Sequence, residues 1–126
     1  MDVSLLLEKA DQARARAYAP YSGFRVGAAL LSGTNRVFTG CNIENASYGL
    51  TVCAERVAVF NAVSAGETNF LGLALVCDGD DYCRPCGACL QVIYEFGDDI
   101  LVIMGNKARE YQIQPINKLL PRAFKL

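Results

Sequence analysis

Thr51-Val52-Cys53-Ala54-Glu55-Arg56 and Arg84-Pro85-Cys86-Gly87-Ala88-Cys89 are the two stretches on which the reading of this chain turns. Each sets a cysteine where a helix is predicted to begin. After Cys53, the run Ala54, Val57, Ala58, Phe60, Ala62 and Val63 is helical to about Ala65, and Gly66 ends it. Pro85-Cys86 opens a further helix that Gly97 closes. The dipole and unpaired N–H groups at a helix start favour a thiolate, the form a metal needs. Cys86 and Cys89 stand three apart, so their side chains share one helix face. Together with Cys53 they can hold one zinc ion and leave its fourth position to water.

Other readings of these thiols exist. Cys86 and Cys89 alone would equally suit a redox pair or half of a structural zinc knot. A knot needs a fourth protein ligand, and because the chain has no histidine that ligand must be another cysteine, with Cys41 and Cys83 as candidates. Glu55 favours the open site. Two residues along a helix point roughly 200° apart, so Glu55 is poorly placed to ligate beside Cys53 but can reach a water at the metal. A glutamate in a first turn is also ordinary for the dipole alone. Arg56 has an equally plain reading as a solvated helix charge. Beside three thiolates on a divalent ion, it would offset the surplus negative charge.

Outward from these helices, strand and helix patterns alternate. A first helix, capped by Ser4, is predicted to run to about Ala17 with Leu6, Leu7, Ala10 and Ala13 on one stripe. Tyr18 to Gly23 break it. Arg25–Leu31 and Arg36–Cys41 read as strands joined by the turn Ser32-Gly33-Thr34-Asn35, hence a hairpin. Asn42–Thr51 is polar and irregular. Phe70–Cys77 reads as a buried strand, Asp78–Pro85 as an acidic loop, Ile100–Met104 as a strand and Glu110–Ile113 as an edge strand, with a helical turn at Pro115–Leu120. This order predicts an α/β fold, a three-layer α/β/α sandwich with a mixed sheet, as one domain over residues 1–126. The Cys53 helix is too apolar for one stripe, so more than one of its sides is expected to be covered.

Composition narrows the function. An apolar fraction of 52% with 20% charged residues excludes a disordered chain. A net charge of -1 gives no electrostatic reason to bind long nucleic acid. The longest apolar runs, Val26–Leu31 and Leu71–Cys77, are too short for a bilayer, and Met1-Asp2-Val3 lacks the start of a signal peptide, so a cytoplasmic location is expected. Six cysteines there stay mostly reduced. Cys41, Cys77 and Cys83 then read as small apolar residues. The absence of histidine removes histidine bases and triads, so proton transfer falls to a tuned carboxylate, thiol, lysine or water at a metal.

The chain resembles the cytidine deaminase family, in its small three-cysteine form. The resemblance rests on Tyr18-Ala19-Pro20-Tyr21-Ser22, Phe24, Val26-Gly27-Ala28-Ala29, Gly40-Cys41-Asn42-Ile43-Glu44-Asn45, Cys53-Ala54-Glu55-Arg56, Pro85-Cys86-Gly87-Ala88-Cys89 and Leu119-Leu120-Pro121, in one order over nearly the whole length. It implies a five-stranded mixed sheet, a homotetramer whose subunits share active sites, one zinc ion per chain, and hydrolytic deamination of cytidine and deoxycytidine in pyrimidine salvage. Carried over by position, Cys53, Cys86 and Cys89 would bind zinc and Glu55 would shuttle protons. Asn42 and Glu44 would hold the ribose hydroxyls, Phe24 would pack on the pyrimidine, and Ala54 would also contact substrate. Tyr48 and Phe124 would serve a neighbouring subunit's pocket. Two positions depart from the family pattern. Leu90 stands where arginine is usual, leaving Arg56 as the main balancing charge, and Arg122 stands where glycine is common. The metal site does not encode the substrate, so a deaminase of another aminopyrimidine or aminopurine nucleoside is the alternative within the class. A zinc-stabilised binding module without turnover is the alternative outside it.

Overall fold

The computed structural model describes residues 1–126. Its elements are α1 (Val3–Arg14), β1 (Val26–Ser32), β2 (Val37–Cys41), α2 (Ala54–Ser64), β3 (Phe70–Cys77), α3 (Gly87–Tyr94), β4 (Leu101–Gly105), β5 (Tyr111–Pro115) and α4 (Ile116–Leu119), with a short 3-10 turn at Tyr48–Leu50. The strands form one sheet in the order β2-β1-β3-β4-β5. The β1–β2 hairpin is antiparallel, as are β1–β3 and β4–β5, while β3 and β4 run parallel around α3. The mixed sheet follows from that one crossover.

Alternation along the strands builds two cores. Ala28, Leu30, Leu73, Leu75, Val102 and Met104 face α2, α3 and α4. Ala29, Leu31, Ala74, Val76 and Ile103 face Leu6, Leu7 and Ala10 of α1. The central strand β3 is buried on both faces, which is why it reads as an unbroken apolar run. The result is the expected α/β/α sandwich. No helix is long and apolar enough to cross a membrane.

Two glycines set how closely the layers approach. A Cβ at Gly27 would stand 1.9 Å from the Ala10 carbonyl oxygen and 2.4 Å from the Arg14 nitrogen, so α1 lies directly on the β1 backbone. A Cβ at Gly40 would stand 2.4 Å from the Ala58 nitrogen and 2.6 Å from the Ala54 oxygen, so α2 does the same on β2. These contacts place the start of α2 at the end of the sheet where β2 and β3 finish.

Several boundaries differ from the sequence expectation. Asp2, not Ser4, caps α1, its carboxylate accepting the Leu5 N–H at 3.0 Å. The helix ends at Arg14, because Arg16 and Ala17 donate to carbonyls three residues back and Tyr18 turns away to donate to Asn42. α3 stops at Tyr94, well before Gly97. β5 extends to Pro115, whose partner across the ladder is Leu101. α2 buries only the side bearing Ala54, Glu55, Ala58, Val59 and Ala62, while Phe60 and Val63 point to solvent.

The glycine contacts carry a prediction. Gly27→Ala forces backbone against backbone and should destabilise the protein by about 1–3 kcal/mol or more. Gly49→Ala, where a Cβ meets nothing within 4 Å, should stay within ~0.5 kcal/mol of the parent. Urea denaturation of both variants measures the difference; equal midpoints would contradict the close docking of α1.

Candidate active site

Cys53 and Cys86 are the capping residues immediately before α2 and α3, and Cys89 lies in the first turn of α3. Both helix starts therefore aim N–H groups at the same small volume. The three sulfur atoms lie within 4.8 Å of one another, and no other set of three metal-capable side chains is drawn together in this chain. The Cys86 thiol donates to the Cys89 sulfur at 3.3 Å. Ligands of a tetrahedral zinc ion with bonds of ~2.3 Å sit about 3.8 Å apart, close to what the cluster offers. Neither Cys41 nor Cys83 belongs to it, so the closed four-cysteine knot has no fourth ligand here.

The electrostatics point to a cation as well. The hydrogen bond from Cys89 pushes the Cys53 thiol down to about 5; burial opposes this and the Arg56 guanidinium assists it. Cys89 is pushed up by that same hydrogen bond, by burial and by the nearby Glu55. Three sulfurs this close cannot all ionise alone, and a divalent ion among them removes the conflict. Arg56 Nη2 donates to the Cys53 sulfur at 3.4 Å, while its Nε is buried without a partner. Leu90 is buried and brings no charge.

Glu55 is only 5% exposed, and it lies beside the cluster instead of within it. Burial pushes its carboxyl above the usual carboxylate range, and the negative charge at Cys53 adds to the effect. Both effects favour the protonated form of this carboxyl. It opens onto a pocket of about 220 Å³, lined by Phe24, Val26, Asn42, Thr51, Cys53, Ala54, Glu55, Cys83, Arg84 and Cys86. A second concavity of about 360 Å³, lined by Tyr21, Ser22, Glu44, Tyr48 and Thr51, shares Thr51 with the first. The larger hollow of about 580 Å³ lies across the β2 edge, between Lys9 of α1 with Arg16 just past that helix and Val57 and Asn61 of α2, and holds none of the cluster. Size is a poor guide here; the smaller pocket has the chemistry.

The site residues expected from sequence fall into three groups. Cys53, Glu55 and Cys86, with Phe24, Asn42 and Ala54, share one pocket, with Cys89 behind it. Glu44 and Tyr48 line the adjoining concavity. Phe124 lines neither; it is 69% exposed, and its carbonyl accepts from Gln91. Arg122, two residues earlier, has a φ of 56°, the left-handed region that favours glycine. Asn42 is more occupied than expected: its Oδ1 accepts the Val26 N–H and its Nδ2 donates to the Phe24 carbonyl, both at 2.9 Å. One N–H and one lone pair remain for a ligand. Glu44 is held by the N–H groups of Tyr21 and Ser22 and by the Ser22 hydroxyl, whose hydrogen bond pulls its carboxyl downward. Thr51, Arg84 and Ser22 stand within the quoted sequence stretches but have no role assigned from them, and Cys83 is named there only as a possible fourth ligand of a closed knot; the fold brings all four to these pockets.

With this geometry in place, the chain defines a class: an open three-cysteine metal site with a buried carboxyl beside it. Residues 2–105 match the family described as the cytidine and deoxycytidylate deaminase zinc-binding region. The chain belongs to that family. It is 49% identical to a cytidine deaminase of Halalkalibacterium halodurans and 47% identical to one of Sporosarcina psychrophila, covering 98% of this chain in both cases and 95% and 92% of those proteins. Its fold matches the crystal structure of cytidine deaminase from Burkholderia pseudomallei with a TM-score of 0.95 at 46% identity, covering 98% of this chain and 100% of that one. Zinc fits the donor set on both grounds.

One zinc per chain is the expected content of the purified protein. Cys86→Ala should lose it and melt at lower temperature, because ligation is coupled to folding. Cys83→Ser should keep it. Elemental analysis with thermal melts checks both; loss of zinc from Cys83→Ser would restore the closed-knot reading.

Proposed function

We propose that this chain is a zinc-dependent aminohydrolase that converts cytidine and deoxycytidine to uridine and deoxyuridine, releasing ammonia, with residues 1–126 acting as one catalytic domain. The observation that carries this reading is Glu55: a buried carboxyl facing a pocket beside an open metal cluster has no use in a structural knot. Zinc, when bound by Cys53, Cys86 and Cys89, acidifies a water for attack on a carbon centre. Glu55 takes one proton from the attacking water, whose oxygen bonds to C4, and delivers it to N3 of the pyrimidine. It then takes the remaining proton from the C4 hydroxyl and gives it to the 4-amino group as the C4–N bond breaks and C4=O forms, so one water is consumed and one ammonia leaves. Phe24 packs on the ring, Ala54 lines the base pocket, and Asn42 and Glu44 receive the ribose hydroxyls. Arg56 keeps the sulfur cluster from carrying excess negative charge.

The same reading extends to assembly and setting. Phe60, Tyr48, Leu50 and Phe124 are each more than half exposed in the single chain. Apolar surface of this kind marks a site that another molecule covers. It supports a homotetramer in which Tyr48 and Phe124 complete a neighbour's pocket. A nucleoside-sized pocket and a net charge of -1 favour a small-molecule partner over long nucleic acid, and the chemistry suits cytoplasmic pyrimidine salvage.

Two measurements test this. Loss of cytidine's ultraviolet absorbance should follow incubation with the zinc-loaded protein. Glu55→Gln should fold and keep its zinc while losing ~10²–10⁴-fold in rate, or more if the one group serves several transfers. Near-normal turnover in that variant would remove Glu55 from the mechanism. In sedimentation the active species should be a tetramer. A fully active monomer at micromolar concentration would dismiss the shared-site arrangement.

A further inference from the structure

Phe24 and Arg25 lead into β1, which begins at Val26 opposite Cys77, and every main-chain polar group of the three is bonded. Asn42 holds one side, through the Phe24 carbonyl and the Val26 N–H, and its own N–H donates to the Val26 carbonyl at 3.2 Å. The Ser22 hydroxyl accepts the Phe24 N–H at 3.0 Å. Asp78, just past the end of β3, holds the other side. Its Oδ2 accepts the Arg25 N–H at 2.9 Å, and its N–H donates to the Arg25 carbonyl at 3.0 Å. The Arg25 guanidinium also reaches both Asp78 oxygens, at 3.1 and 3.2 Å.

Asp78 is itself anchored from behind. Its Oδ1 accepts from Arg14 of α1, and Arg14 is paired with Asp11, which is paired with Arg109 before β5. The charges alternate, +, −, +, −, +, from Arg109 to Arg25. α1 can supply Arg14 only because Gly27 lets the helix lie on β1. The neighbour of Asp78 lies close too: a Cβ at Gly79 would stand 3.6 Å from the Phe24 ring, so the ring lies beside Gly79 with about a methyl group's room between them.

We propose that Asp78 is a positioning residue for the deamination reaction, fixing the Phe24–Val26 segment so that the Phe24 ring is set as the wall of the base pocket. This rests on the reading of Phe24 as the wall against which the pyrimidine packs. Asp78 touches neither substrate nor metal; it acts through Arg25. Its role differs from that of Asp11, which belongs to the same ion network but contacts nothing in the segment.

The test compares Asp78→Ala, Asp78→Asn and Asp11→Ala in the zinc-loaded protein. Asp78→Ala should raise KM for cytidine roughly tenfold with a smaller change in kcat, the pattern of lost ground-state positioning. Amide exchange at Arg25 and Val26 should quicken in the same variant, a readout independent of turnover. Asp78→Asn keeps an acceptor for the Arg25 N–H and should fall between; it carries the comparison if Asp78→Ala does not fold. Asp11→Ala should lower the melting temperature while leaving KM and Arg25 exchange at parental values. Parental KM and exchange in the Asp78 variants would overturn the proposal, as would an equal rise of KM in Asp11→Ala. If the parent protein does not deaminate cytidine the functional reading fails, and exchange at Arg25 still decides whether Asp78 holds the segment.

Discussion

Three sulfur atoms within 4.8 Å of one another cannot all be negative unless a cation sits among them. Everything else near the site serves that constraint. Two helices begin side by side, so their free N–H groups and dipoles lower the cost of charge on Cys53, Cys86 and Cys89. Arg56 adds a fixed positive charge to the Cys53 sulfur. Glu55 lies in the same buried volume, where burial first, and the charge at Cys53 after it, raise its carboxyl.

The sheet explains why the helix starts meet. α2 docks on β2 through Gly40, and α3 is reached from the end of β3 by way of the loop from Asp78 to Pro85. Both helices lie on the same face, packed through Ala58, Ala62, Leu90 and Ile93. The site therefore sits beyond the carboxyl end of β3, where open α/β sheets commonly bind their ligands. Phe24 and Val26 come to the same place because β1 runs antiparallel to β3 and begins where β3 ends, with Val26 opposite Cys77.

Much of this was legible in the chain before folding. The strand patterns, the hairpin, the burial of Phe70–Cys77 and the three ligands follow from local chemistry: alternation, turn residues, and cysteines at helix starts. Serine is a good cap, which makes Ser4 the candidate by residue type, but Asp2, two residues earlier, makes the bond. The second helix was read as covered on several sides, but Phe60 and Val63 lie bare in the single chain, since periodicity cannot say whether a partner supplies the cover. Asp78 read as one acid in an acidic loop. Its partners lie 64 and 53 residues away, at Arg14 and Arg25, and no local pattern encodes such distances. Asn42 was legible through a family motif, yet that motif is silent about the main-chain groups it engages.

The grip of Asn42 on Phe24 and Val26 has a direction. Its nitrogen faces a carbonyl and its oxygen faces an N–H, and the two ends cannot be exchanged. Hydrolysis of this one side-chain amide, a slow reaction of ageing proteins that sheds ammonia, would leave the atoms almost where they were. It would also turn a donor into an acceptor, setting a carboxylate oxygen against the Phe24 carbonyl.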